Sequence, residues 1–125
     1  MTRGRLPGLL GFRVVEISGR GVVAELDVRP DLLAPNGYLH AATVVALADT
    51  ACGIGCRLTL PEGAKGFTTT QVTTNYVGTA RGGSIRTVAS LAHDGRRTQV
   101  WDAGVADGGG RKIAMFRCTQ LILWP

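Results

Sequence analysis

Residues 41–55 read AATVVALADTACGIG, and one ionisable side chain, Asp49, interrupts them. Their apolar residues fall on every side of a helical wheel, and a helix that is apolar all round is normally buried. The stretch therefore predicts one long central helix from about His40 to Thr59, closed by Pro61-Glu62-Gly63. Burying a carboxylate is costly unless a proton, a partner or a ligand offsets it. Asp49 is then either a functional acid with a raised pKa or a buried side chain satisfied by backbone amides or a nearby threonine.

Outward from the helix the chain reads as strands. Residues 9–18 (LLGFRVVEIS) and 22–28 (VVAELDV) form a predicted pair, with hairpin chemistry at Ser18–Gly21. In the second, Val22, Ala24, Leu26 and Val28 share one face while Val23, Glu25 and Asp27 share the other, the alternation of a half-buried strand. Pro30 and Pro35-Asn36-Gly37 make a loop into the helix. Beyond it, residues 67–77 (FTTTQVTTNYV) are rich in β-branched side chains. Strands over 84–93, 97–106 and 111–124 follow, divided by the turn signals His93-Asp94-Gly95 and Asp107-Gly108-Gly109-Gly110. These three imply an antiparallel meander, and the nearly continuous apolar run IAMFRCTQLILW suggests a central strand. The order β-β-α-β-β-β-β fits one α+β domain over 1–125, a helix wrapped by a curved antiparallel sheet of five to six strands.

Composition narrows the function. Hydrophobic residues make up 45% of the 125 and charged residues 18%, which excludes a disordered chain. The 18 glycines are scattered as turn punctuation and form no repeat. No apolar stretch of about 18 residues runs without a charge, and MTRGRLPGLLGF has too short an apolar segment for a signal peptide. A cytoplasmic protein with no membrane partner and three reduced cysteines is expected. Cys52 and Cys56 lie one helical turn apart, but no second Cys/His cluster completes a four-ligand set, so no metal is expected. The net charge of +5 is spread along the chain, with short pairs at Arg96–Arg97 and Arg111–Lys112 and no lysine tract. That pattern excludes a dedicated nucleic-acid surface. It suits an anionic small molecule, a phosphorylated one included, or simple solubility.

Asn36-Gly37-Tyr38-Leu39-His40-Ala41-Ala42, followed by Leu47-Ala48-Asp49-Thr50-Ala51, resembles the hotdog-fold acyl-CoA thioesterases, in particular the PaaI-like (phenylacetate-degradation) group. That family carries a Gly, two residues, His-Gly-Gly, and an acid nine residues after the His. Gly37, His40 and Asp49 fall on those positions, and the likeness continues through Thr74-Asn75-Tyr76-Val77 and Ala80-Arg81-Gly82-Gly83. Two departures stand out: His-Ala-Ala replaces His-Gly-Gly, and Ala34 stands where relatives often carry Asn or Gln.

The resemblance implies hydrolysis of an acyl- or aryl-CoA thioester, with Asp49 as general base or nucleophile. The Ala41 backbone N–H, at the helix start, would polarise the thioester carbonyl. His40 would orient the substrate, its alternative being a cap at the helix start. Thr69 best matches a water-positioning hydroxyl, with Thr68 and Thr70 as rivals. Substrate contacts are expected from Asn36, Gly37, Thr68 and Tyr76, and contacts to the coenzyme A phosphates from Arg81, Arg96 and Arg97. No cofactor is implied, since coenzyme A is part of the substrate.

Nine residues of helix rise about 13 Å, so His40 and Asp49 of one chain cannot meet. If both serve one reaction, a second copy must supply one of them, which implies a homodimer, extended to a dimer of dimers. The alternative function is a weak or inactive acyl-CoA-binding sensor. A hydratase of this fold would pair Asp and His five residues apart, and this chain has no such pair.

Overall fold

The computed structural model describes residues 3–19 and 21–125; Arg20, in the expected hairpin turn, and Met1 and Thr2 lie outside them. In chain order the elements are α1 (Leu6–Leu10), β1 (Arg13–Ser18), β2 (Gly21–Asp27), a 3-10 turn (Pro30–Leu32), α2 (Ala41–Leu58), β3 (Gly66–Tyr76), β4 (Ser84–Asp94), β5 (Thr98–Asp107) and β6 (Lys112–Leu123). The six strands form one antiparallel sheet in the order β1-β2-β4-β5-β6-β3. The expected meander is β4-β5-β6, and β3 crosses over to the far edge, beside β6. With α2 laid across β2, β4, β5 and β6, this is the hotdog architecture.

Helix α2 buries Val44, Leu47, Ala48, Ala51, Cys52, Gly55 and Cys56, one stripe at helical spacing. The stripe meets Val22, Ala24 and Leu26 of β2, Ile85 of β4 and Trp101 of β5, all essentially without exposure. Gly55 is required there, because a Cβ at that position would run into the Trp101 ring. By length and composition α2 would suffice to cross a membrane, but here its apolar stripe is the core of the fold.

Three expectations need correction. The all-round apolar helix is covered on one side only: Val45, Ala46, Asp49, Thr50, Gly53 and Ile54 stay half-buried, because a single sheet covers a single face. Residues 9 and 10, read as strand, belong to α1, which has Pro7 in its first turn and ends at Gly11 in the left-handed conformation (φ +78). Strand β6 is interior but lies next to the edge strand. It alternates, with Phe116, Cys118, Gln120 and Ile122 buried and Met115, Arg117 and Leu121 exposed, because no layer among the described residues covers the outer face of the sheet. Cys52, Cys56 and Cys118 are unpaired thiols in the core.

Strand β3 carries a bulge. Thr69 pairs with Gln120 and Gln71 with Thr119, so Thr70 is an extra residue against β6. Before it, Phe67 and Thr69 sit opposite the inward-facing Ile122 and Gln120; after it, Val72, Thr74 and Tyr76 sit opposite the inward-facing Cys118, Phe116 and Ala114. The extra residue switches the inward positions from odd to even. Thr69 and Tyr76 thereby face the helix side together.

Candidate active site

Asp49 lies midway along α2, on the side the sheet leaves open. Its Oδ1 is buried without a hydrogen-bond partner. Burial pushes its pKa above the ordinary carboxylate value, while the neighbouring Thr69 hydroxyl acts in the opposite direction. That hydroxyl has one proton, and it donates it to Gln120 Oε1 at 2.7 Å. The unpartnered Oδ1 and the 2.7 Å bond agree with each other, so desolvation dominates at Asp49.

Asp49 opens into a cleft of about 260 Å³ between α2, β3 and α1. Its walls include Gly53 and Arg57 from α2, Phe67 and Thr69 from β3, and Pro7 from α1. The tip of the Phe67 ring stands 3.5 Å from where a Gly53 Cβ would sit, so the ring closes on the helix at Gly53. A larger concavity, about 840 Å³, lies against the N-terminal segment between Arg3 and Phe12, but among the described residues neither acid nor nucleophile lines it. The carboxylate lines the smaller space.

A second group of expected residues gathers at the start of α2. His40 is the N-cap, and its Nδ1 accepts the Ala42 N–H at 2.9 Å. The capping alternative is therefore realised, and in the neutral ring the proton sits on Nε2. The Ala41 N–H, first in the helix, has no intrahelical acceptor. Tyr76 Oη donates to the Ala41 carbonyl at 2.9 Å, so its hydroxyl is tied to the helix start. Asn36 Oδ1 accepts the Tyr38 N–H at 3.1 Å within a local turn. Gly37 (φ +86) permits that turn. Arg81 stacks over the Tyr38 ring at 4.2 Å, held near the helix start by the Leu39 N–H, which donates to the Ala80 carbonyl.

The remaining expected residues lie elsewhere. Thr68 is exposed on the opposite side of β3 from Thr69, and the bulged Thr70 donates to the Thr119 carbonyl at 3.4 Å. Arg96 stacks on Trp124 at 4.3 Å, and the Arg97 carbonyl accepts the Ile122 N–H at 2.8 Å. They follow β4 while Arg81 precedes it, and eleven extended residues span about 35 Å. One protomer cannot bring both groups to one ligand. Of the expected catalytic residues, the cleft unites Asp49 and Thr69; His40 and Ala41 stand some 13 Å along the helix. The sequence reading missed Arg57, which helical spacing would have found two turns beyond Asp49, and Phe67 and Pro7, for which it carries no comparable signal. Among the described residues no three His, Cys, Asp or Glu side chains cluster.

The fold is that of the hotdog class, with an unpartnered acid on its core helix facing a cleft. The chain belongs to the thioesterase superfamily, whose sequence profile matches residues 36–114, and it is a thioester hydrolase. It is 31% identical to the 1,4-dihydroxy-2-naphthoyl-CoA hydrolase of Escherichia coli, over 98% of this chain and 90% of that one. Among solved structures it resembles a thioesterase of Pseudomonas aeruginosa at 25% identity and TM-score 0.93, covering 98% of this chain and 88% of the other. The PaaI protein from the phenylacetic acid degradation operon of Escherichia coli shares the fold at 20% identity and TM-score 0.84, over 94% and 83% of the two chains. The expected family resemblance is borne out.

Proposed function

We propose that this protein hydrolyses an acyl-CoA thioester with an aromatic acyl group, using Asp49 as general base. The observation that carries this reading is the buried, unpartnered Asp49 Oδ1 facing a cleft beside Thr69. A carboxylate held without donors is a stronger base than one in water. Asp49 takes a proton from water, and the water oxygen forms a bond to the thioester carbonyl carbon. The carbon–sulfur bond then breaks, and the leaving thiolate takes the proton back from Asp49 to give the free thiol and the free acid. The aromatic ring of Phe67 in the cleft wall suits an aryl group, in keeping with the naphthoyl-CoA named for the Escherichia coli relative.

The oxyanion needs donors directed at the reacting carbonyl. The outward Ala41 N–H supplies one, strengthened by the helix dipole, and the protonated Nε2 of neutral His40 another. Because both stand about 13 Å from Asp49, each site joins Asp49 of one copy to the helix start of a second. Strand β3 supports such pairing: it is a long, proline-free edge, exposed over most of its length. The half-buried side of α2 would be covered by the same contact. Arg57 at the cleft and Arg81 near the helix start would meet the phosphates of coenzyme A. Three unpaired buried thiols fit a reducing cytoplasm.

The test is release of coenzyme A thiol from phenylacetyl, benzoyl, hydroxybenzoyl, short-chain and medium-chain esters, with wild type and Asp49→Asn side by side. Turnover of aryl esters by wild type, lost in the variant, is expected. Binding without turnover would leave an acyl-CoA sensor, and full turnover by Asp49→Asn would remove Asp49 from the mechanism.

A further inference from the structure

Gln120 is a fully buried amide in the second strand from the sheet edge, with Gln99 opposite it on β5 and Thr69 opposite it on β3. The two glutamines differ in what they hold. Gln99 is used up structurally: its Oε1 accepts from Trp101 Nε1 at 2.8 Å and its Nε2 donates to the Thr59 carbonyl at 3.1 Å, closing the C-terminus of α2. The one strong bond of Gln120 runs to Thr69, at the cleft. Its other contact, from Nε2 to Cys118 Sγ at 3.5 Å, is weak, but it turns the nitrogen toward the thiol and so the oxygen toward Thr69. Stability does not call for this amide. Thr69 is exposed and would find water without it, and a buried amide with one good bond packs no better than an apolar side chain of its size.

We propose that Gln120 is a positioning residue: it claims the single proton of Thr69, so that Thr69 presents only lone pairs to the space beside Asp49. This rests on the reading of Asp49 as the base. A water there donates one hydrogen to Asp49 and the other to Thr69 Oγ1, which leaves its own lone pair for the thioester carbon. As the water attacks, the hydrogen facing Asp49 transfers as a proton, while the hydrogen facing Thr69 stays on the oxygen that joins the carbon. Gln120 also keeps the Thr69 proton off Asp49 Oδ1, which is the atom the structure leaves without a partner. Within one chain the other titratable groups around this carboxyl are Arg57 and Cys52 on α2 and Cys118 behind them on β6, while α1 and β3 bring no charge to the cleft. Across the proposed contact His40 of the partner subunit joins them, and it is common to every variant compared below.

The experiment measures kcat and KM against pH for Gln120→Met, Thr69→Val, the double variant and Gln99→Met, with the ester the wild type turns over fastest in the aryl-CoA panel. Gln120→Met is expected to lower kcat about tenfold with little change in KM. Its acidic limb moves to lower pH, because the freed Thr69 proton turns to the Asp49 carboxylate. Thr69→Val lowers kcat but leaves the limb in place, and adding Gln120→Met to it changes nothing more. Gln99→Met lowers the Tm without moving the limb, which separates positioning from packing. An unmoved limb in Gln120→Met overturns the proposal. So does a limb raised by Thr69→Val, which would mean that Thr69 donates to Asp49, and this second arm decides the matter if Gln120→Met does not fold. Asp49→Asn reports separately: full turnover in that variant, or a wild type inactive on every ester, removes the underlying reading itself.

Discussion

Tyr76 Oη donates to the Ala41 carbonyl at 2.9 Å, tying the last residue of β3 to the first residue of α2. The bond exists because the bulge at Thr70 turns Tyr76 to the same side of the sheet as Thr69. One strand thus holds the Thr69 hydroxyl near Asp49 and steadies the helix start that carries the Ala41 N–H.

Tyr76→Phe removes that tie and leaves the ring. A neutral hydrogen bond contributes about 1 kcal/mol, so kcat/KM should fall about fivefold, with a small loss of Tm. Steady-state kinetics and thermal melts check this; unchanged kinetics would mean that the helix start needs no support from β3.

Asp49→Asn should stabilise the protein as it inactivates it. Burial raises the Asp49 pKa above 3.8. Between that value and the folded one, the folded protein keeps a proton that the unfolded chain has released, so stability falls as pH rises through the window. Asparagine carries no such penalty. The variant should melt above wild type at neutral pH and close to it below pH 3.8. Turnover should drop by about 100-fold or more, and the wild-type acidic limb should lie above the ordinary carboxylate range.

Two helix glycines should respond in opposite ways. Gly55→Ala drives a methyl into the Trp101 ring, and overpacking costs about 1–3 kcal/mol. Gly53→Ala meets only ordinary contact with Phe67 at 3.5 Å, and gains up to about 1 kcal/mol of helix propensity. Its methyl narrows the cleft, so its KM for aryl esters should rise while its Tm does too. Melts of the two variants side by side decide this.

Arg57→Ala should leave the Tm unchanged, since the side chain is exposed. Loss of one charge-assisted contact to phosphate should raise KM for coenzyme A esters about tenfold. N-acetylcysteamine thioesters of the same acid carry no phosphate, and their KM should not move. An equal rise for both would place Arg57 at the acyl group.

The protein should run in light scattering at no less than twice its 13.1 kDa chain mass. A fully active monomer would remove the composite site, because Asp49 and His40 of one chain stand about 13 Å apart along α2.

Much of the fold was legible locally. The strand expected at 84–93 is observed at Ser84–Asp94, and the helix expected from about His40 to Thr59 is observed at Ala41–Leu58. Periods of two and of 3.6 residues are written into neighbouring side chains, and Pro61-Glu62-Gly63 marks its own turn. Asp49 stood out for the same reason, as one charge in an apolar run.

The sequence by itself determined the central helix, the six strands, their order and the acid, because each depends on residues close along the chain. Tertiary structure decided which side of α2 stays open, since that depends on where a single sheet can reach. It decided that Thr69, among three consecutive threonines, faces the cleft, and that Tyr76 reaches Ala41. Both follow from one extra residue at Thr70 counted against β6, fifty positions away in the chain, and a local pattern holds no record of its partner's register. The bond from Thr69 to Gln120 has the same origin: two polar side chains unremarkable along the chain become a pair only when β3 crosses the sheet to lie beside β6.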